Sequence, residues 1–88
     1  MITLFQKCQK ILEERRQKYK ETINVHARAA ELWGGYIRQD LSITDVLVMM
    51  ALFKIARYKI DKNEDSLIDG INYLALIDPQ TDKDLEGI

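Results

Sequence analysis

Two pairs of charged residues in the second half of the chain are spaced so that each pair shares one face of a helix. Lys54 and Arg57 are three residues apart, Asp65 and Asp69 are four apart, and Tyr73 continues the second stripe. The two helices are joined by a short connection, so we expect antiparallel neighbours that bring the cations towards the aspartates. Aspartates in this pattern could hold a divalent cation, and the two cations could hold a phosphate.

The same charges also have a purely structural interpretation. A largely apolar helix does not keep two cations in its central turns without partners, because an unpaired buried charge is costly. An ion-pair network could therefore pin the two helices together. Both interpretations stay open, and they are compatible if a resting network opens to a ligand.

The sequence gives little support for other reactive centres. One cysteine and one histidine cannot complete a zinc site within one chain. Cys8 falls on the apolar face of the first helix and is expected to be a small core residue. His26 is expected to be a surface or capping residue. The sequence around Gly34-Gly35 does not match that of a phosphate-binding glycine loop. The two glycines could still let another backbone or a ligand come close.

These residues must be positioned by helices. Apolar side chains recur at steps of three and four, which predicts an all-α fold, a compact bundle of three to four helices. The predicted helices cover about 3–18, 24–38, 44–60 and 64–77. Thr3 with Gln6 fits a capping box, Asn24 and Thr44 are expected N-caps, and a polar stretch over 18–22 is expected to interrupt the first helix. The third helix is apolar almost all round, which predicts a central position.

Length and composition bound the class of protein. The chain has 88 residues, 47% hydrophobic side chains and a net charge of −1, as expected for one small globular domain rather than a multidomain enzyme. We expect a single helical domain over 1–79 and a flexible acidic tail over 80–88. Because the core of so short a chain is thin, we expect the protein to gain stability by forming a homo-oligomer.

The single cysteine excludes an internal disulfide, and no apolar run approaches the ~20 residues of a membrane helix. A cytoplasmic setting without a membrane partner is therefore expected.

Positive charge is concentrated near the start of the chain. The candidate partner surface consists of Lys7, Lys10, Arg15 and Arg16. A basic face of this kind can contact a partner protein, attract a polyanion, or pair with the acidic second half. Nucleic acid is the less favoured partner, because no recognition motif accompanies the charges and the isoelectric point is about 5.8.

Three stretches carry a resemblance to a known family. They are Glu14-Arg15-Arg16-Gln17-Lys18-Tyr19, Ala29-Ala30-Glu31-Leu32-Trp33, and the region from Asp45 to Leu76 with its Lys54-x-x-Arg57 and Asp65-Ser66-x-x-Asp69-x-x-x-Tyr73 patterns. Over about residues 11–77 the chain resembles an uncharacterised family of small phage and prophage proteins. The C-terminal pattern is similar to a phage domain associated with nucleotide modification. It is more distantly similar to the all-α MazG-like nucleoside triphosphate pyrophosphohydrolases.

The MazG-like resemblance implies a magnesium site, built from Glu-Glu-x-x-Glu on one helix and Glu-x-x-Asp on a later one. Glu14 matches the first motif, but Gln17 replaces its last carboxylate. In the second motif Ser66 stands three residues before Asp69, and the acid is displaced to Asp65. Glu14, Asp65 and Asp69 are therefore the candidate magnesium ligands, and one metal ion is the most they would hold.

These observations lead to three functional hypotheses. The first is a phage-type helical protein that binds a nucleotide or another phosphate-bearing ligand through Lys54, Arg57 and Tyr73, as a non-catalytic or degenerate MazG-like member. The second is an interaction protein that inhibits a host or defence protein by direct binding. The third is a Mg²⁺-dependent nucleoside triphosphate pyrophosphohydrolase. Each hypothesis places the protein in the cytoplasm of an infected or lysogenic bacterial host.

Overall fold

The computed structural model describes residues 2–78, except for the side chains at 16, 17 and 19–23. The helices are α1 (Leu4–Glu14), α2 (Arg16–Ile37), α3 (Ile43–Asp61) and α4 (Glu64–Ala75). No strand occurs between residues 2 and 78, so the predicted all-α bundle is confirmed. No helix in this range is both long enough and apolar enough to span a bilayer. The expected tail over 80–88 lies outside the described residues.

The predicted capping box opens α1. The Thr3 hydroxyl accepts a hydrogen bond from the Gln6 N–H at 3.1 Å, and the Gln6 side-chain oxygen accepts one from the Thr3 N–H at 2.8 Å. Two backbone donors at the start of the helix are thereby satisfied. The helix ends at Glu14, because Arg15 leaves helical geometry with φ −104° and ψ 11°.

The expected interruption over 18–22 was wrong. α2 starts at Arg16 and runs through this stretch, so Asn24 lies inside the helix rather than at its N-cap. The stretch contains neither glycine nor proline, and lysine and glutamate have high helix propensity, so its polarity does not end the helix. The chain bends instead at Arg15, between α1 and α2.

A glycine near the end of α2 permits a tight turn. A Cβ added to Gly34 would lie 2.6 Å from the backbone oxygen of Gln39, and the Gln39 N–H donates to the Gly34 oxygen at 3.0 Å. The close backbone approach predicted for the glycine pair is confirmed at Gly34. Arg38 closes the helix in the left-handed conformation, with φ 59°.

The helix α3 begins at Ile43, one residue before the predicted start at 44, and its N-cap also differs from the prediction. Ser42, rather than Thr44, is the N-cap: its hydroxyl accepts from the Asp45 N–H at 3.0 Å, and Asp45 Oδ2 accepts from the Ser42 N–H at 2.9 Å. Ser42 is preferred because Asp45, three residues later, can accept a hydrogen bond in return and so completes a capping box. Thr44 has Leu47 at the same distance, and a leucine side chain cannot accept a hydrogen bond.

The core lies mainly between α3 and α4, which form the most extensive contact in the bundle. Its buried apolar residues are Cys8, Ala30, Ile43, Val46, Leu47, Ala51 and Ile68. α4 also packs on α1, and α2 packs on α3. At Gly70 the two central helices approach closely, since an added Cβ would lie 3.4 Å from Lys54 Cβ and 3.5 Å from the Ala51 oxygen. This crossing fixes the position of the residues of α4 on either side of Gly70.

The prediction that α3 is central was only partly right. One face of α3 is buried against α2 and α4, but the opposite face carries large apolar side chains that are exposed. These side chains are Met49, Leu52, Phe53, Ile55 and Ile60. The described part of the chain therefore covers only one side of its most apolar helix.

Candidate functional site

A cavity of about 190 Å³ lies between the α1–α2 bend and the C-terminal half of α4. Its walls are formed by Arg15, Lys18, His26, Asp69, Asn72, Tyr73 and Leu76. Four of these residues come from α4 and its end, at positions 69, 72, 73 and 76. This spacing places them on one face of the helix. Lys18 and His26 are eight residues apart, about two turns along α2. The bend at Arg15 brings the end of α1 to the same cavity.

The charges around the cavity favour an anion. Arg15 and Lys18 are exposed cations, and Asp69 is the carboxylate of the wall. The charge of Asp69 is already matched by Lys54, whose Nζ lies 3.2 Å from Asp69 Oδ2. Among the described residues neither rim cation forms an ion pair, so both can interact with a ligand, and guanidinium and ammonium groups both suit phosphate oxygens.

Two buried nitrogen atoms on the cavity wall lack hydrogen-bond partners among the described residues. They are Nδ1 of His26 and Nδ2 of Asn72, and Asn72 is only 2% exposed. An unsatisfied buried polar group costs about 1–3 kcal/mol. A polar group that enters the cavity, whether water or part of a ligand, would remove this cost.

Two aromatic rings complete the wall. The His26 and Tyr73 rings meet edge to face, with centroids 6.1 Å apart and planes inclined at 75°. Desolvation by burial lowers the pKa of His26 below its ordinary value, so the imidazole is uncharged at neutral pH. A neutral imidazole offers one donor nitrogen and one acceptor nitrogen. Behind the exposed rim cations, the wall therefore carries two uncharged rings, the Asn72 carboxamide and an Asp69 carboxylate that Lys54 neutralises.

The predicted ion-pair set is formed only in part. The expected pairing of Lys54 with Asp69 is confirmed. Arg57 instead lies 3.4 Å from Asp61 on its own helix, because its side chain is 60% exposed and Asp61 is one turn ahead on α3. Of the three residues predicted to bind a phosphate-bearing ligand, Tyr73 lines the cavity, whereas Lys54 and Arg57 do not.

The candidate magnesium ligands do not converge. Glu14 and Asp65 are exposed and stand away from the cavity wall, where Asp69 is the acid. Within residues 2–78, no three His, Cys, Asp or Glu side chains are grouped so that they could hold a metal ion. The described carboxylates are therefore not grouped as a magnesium centre made of protein ligands would require.

The candidate partner surface is divided among different roles. Lys7 Nζ contacts both carboxylate oxygens of Glu64, at 3.1 and 3.0 Å, and so links α1 to α4. Lys10 is exposed, and Arg15 belongs to the cavity. The side chain of Arg16 lies outside the described residues. Among the described members of this surface, Lys7 is therefore ion-paired and Arg15 lines the cavity.

Sequence reasoning missed His26 and Asn72. The expectation that His26 is a surface or capping residue was wrong, because α2 begins ten residues before it and buries Nδ1 in mid-helix. Asn72 could have been found from its place beside Asp69 and Tyr73 on the α4 stripe. The prediction for Cys8 is confirmed: it is buried at 4% exposure, and burial raises the pKa of its thiol.

Comparisons with known proteins agree with the phage resemblance. The family described as "Domain of unknown function (DUF6378)" matches residues 3–80. The chain is also similar to the Gene 55 protein of Mycobacterium phage L5, with 36% identity over 67 residues, which cover 74% of this chain and 43% of that protein. This chain therefore spans less than half the length of that phage relative. No solved structure matches the chain.

The resemblance to small phage proteins is confirmed, while the similarity to nucleotide-modification and MazG-like proteins remains a prediction. Since the family match covers nearly the whole described bundle, the chain belongs to the family described as "Domain of unknown function (DUF6378)".

Proposed function

We propose that this protein binds a phosphate-bearing nucleotide in the α1–α2–α4 cavity without converting it. The observation that supports this function most directly is the composition of the cavity wall. Exposed Arg15 and Lys18 stand at the rim, and buried beside them are nitrogens of His26 and Asn72 that have no hydrogen-bond partner among the described residues. Such a wall offers hydrogen bonds to an anionic ligand with a polar ring.

The volume limits which part of the ligand is enclosed. A cavity of about 150 Å³ holds a benzene-sized ring. The cavity of about 190 Å³ therefore takes one ring or one phosphate group rather than a whole nucleotide. We assign the ring to the interior beside His26, Asn72 and Tyr73, and the phosphates to Arg15 and Lys18 at the rim. This division follows the chemistry, since the interior offers aromatic rings, a carboxamide and an ion-paired Asp69, whereas the rim is cationic.

We prefer non-catalytic binding to hydrolysis because the candidate acidic residues are not grouped around one point. A MazG-like hydrolase would need carboxylates grouped around Mg²⁺, and the acids at 14, 65 and 69 are not grouped. Asp69 is also occupied by Lys54 at 3.2 Å. We therefore assign Asp69 the role of a wall residue held in place by Lys54.

A thermal-shift screen of the full chain tests the proposal. The probes are ATP, GTP, CTP, UTP, cyclic dinucleotides and inorganic triphosphate, each with and without Mg²⁺. A ligand present at about 100 times its Kd stabilises the folded state by about 2.7 kcal/mol. For a domain of this size that corresponds to an increase in Tm of roughly 10 °C or more.

The outcomes of the screen separate the hypotheses. Stabilisation by a nucleotide that exceeds the effect of inorganic triphosphate supports ring recognition in the cavity. Pyrophosphate release, assayed separately in the same mixtures with Mg²⁺, would instead establish the pyrophosphohydrolase alternative. If no probe changes Tm, the nucleotide-binding proposal is wrong.

Inhibition of a host or defence protein by direct binding is the second candidate function. It is favoured by exposed apolar side chains along one face of α2: Val25, Leu32 and Tyr36 are seven and four residues apart, and Tyr36 is 90% exposed. Affinity capture from bacterial lysate with the wild type and a Leu32→Asp variant tests it. A stoichiometric partner that the variant loses would support this function, and equal capture by both proteins would exclude this face.

A further inference from the structure

The outer face of α3 is apolar and uncovered. Residues 49, 52, 53, 56 and 60 recur at helical spacing and lie opposite the buried residues of the same helix. Leu52, Phe53 and Ile60 are 59%, 62% and 88% exposed. No charged residue interrupts this set, which we call the α3 outer face.

A helix that is apolar on all sides is normally buried on all sides. Here the described helices cover only the inner face of α3, and the buried core consists of few residues. A small domain with so thin a core commonly gains stability by association. Something that covers the α3 outer face would bury four large apolar side chains, each worth about 1.5–3 kcal/mol when fully buried.

We propose that the α3 outer face is a homodimer interface, in which α3 packs antiparallel against α3 of a second copy about a two-fold axis near Leu52 and Phe53. In this arrangement residue i of one copy lies opposite residue 105 − i of the other. Leu52 then faces Phe53, and Met49 faces the small Ala56. Near the axis the two largest contacts therefore pair with each other, and on either side of them a large side chain meets a small one.

The charges beside the face favour this antiparallel arrangement. Asp45 at the N-terminal end and Lys59 at the C-terminal end are both exposed, and they flank the same side of the apolar set. Antiparallel helices bring matching flanks together, so Asp45 of each copy lies near Lys59 of the other. A parallel pair would instead place both Asp45 side chains at one end of the contact and both Lys59 side chains at the other, so that opposite charges would not meet. The face is therefore complementary to itself, which a surface for an unrelated partner need not be.

Sedimentation or light scattering of the full chain between about 1 and 200 μM tests the proposal, in the range where weak dimers dissociate. The expected species has twice the 10.3 kDa mass of one chain. Phe53→Glu should abolish the dimer while circular dichroism still shows a helical monomer, because this side chain is exposed in the single chain. Val25→Glu, at nearly the same exposure on α2, is the matched control and should remain dimeric.

Two further variants test the geometry. Lys59→Glu should weaken the dimer about ten-fold, whereas Lys10→Glu on α1 should not. Leu52→Cys should give a disulfide-linked dimer on mild oxidation, and Leu32→Cys should not, since Cβ atoms must approach to about 4 Å for the bond to form. A monomeric wild type would overturn the proposal and leave the face for another protein. A dimer that survives Phe53→Glu and is not cross-linked at residue 52 would also overturn it.

Discussion

The His26 ring on α2 stands edge to face with the Tyr73 ring on α4, at a centroid distance of 6.1 Å. Among the described residues α2 packs mainly on α3, and α4 packs on α3 and α1. The contact between the two rings therefore joins α2 to α4 at the wall of the cavity. It also makes His26 a reporter of the cavity, because it is the single histidine of the chain.

Stability should decrease as the pH is lowered into the acidic range. Burial lowers the pKa of His26 in the folded state, so the unfolded chain, with a pKa of about 6.5, binds the proton more readily. The contribution of the neutral imidazole is complete above that value, and it is lost as the pH falls towards the lower folded-state pKa. Urea unfolding at pH 7.5 and 5.5 measures the difference.

The matched control for this prediction is His26→Gln, which cannot titrate in that range. Its free energy of unfolding should change less than that of the wild type between the two pH values. An NMR titration of the imidazole should give a midpoint below 6.5. A midpoint at or above the ordinary value would contradict the assignment of His26 to a desolvated site.

Loss of Lys54 should destabilise the fold. Its side chain is only 18% exposed and its ammonium neutralises Asp69, so Lys54→Met leaves a partly buried carboxylate without its partner. We expect a decrease in the free energy of unfolding of about 1–2 kcal/mol, measured by denaturant titration. Arg57→Met is the control, since the more exposed pair with Asp61 should contribute at most ~0.5 kcal/mol. Equal effects of the two substitutions would argue against a special role for the Lys54–Asp69 pair.

The adjacent glycines of α2 should respond to alanine with opposite signs. Gly35→Ala meets nothing within 4 Å and should stabilise the helix by about 0.5–1 kcal/mol. Gly34→Ala places a Cβ 2.6 Å from the Gln39 oxygen, and it should cost about 1–3 kcal/mol because backbone must move. Thermal unfolding of the two variants measures whether Tm increases or decreases. An increase in Tm for Gly34→Ala would show that the backbone at Gln39 does not approach Gly34 so closely.

Local spacing predicts local features of this fold well. The period of the apolar residues indicates four helices, and the Thr3–Gln6 capping box depends on three-residue spacing within one turn. Where a local rule failed, a competing local rule explains the result: Ser42 displaced Thr44 as N-cap because Asp45 completes the box. The bend at Arg15 carries no glycine or proline signal, so sequence reasoning could not locate it.

The candidate site was only partly predictable for a related reason. Asp69 and Tyr73 share one face of one helix, so their association follows from spacing alone. Their association with Arg15, Lys18 and His26 depends on the angle of the bend and on the crossing of α3 and α4 at Gly70. Those are long-range features that no spacing within one helix contains. The pairing of Arg57 was mispredicted because a near residue on its own helix competed with α4.

Isothermal titration with the nucleotide that gives the largest thermal shift tests the central claim most directly. Arg15→Ala removes a rim cation whose hydrogen bonds to phosphate should contribute about 1.5–3 kcal/mol, so Kd should increase by roughly 10- to 100-fold. Lys10→Ala removes an exposed cation that lies on α1 away from the cavity wall, and it should leave Kd unchanged. Equal affinities for the wild type and Arg15→Ala, or an equal loss in both variants, would contradict nucleotide binding in this cavity.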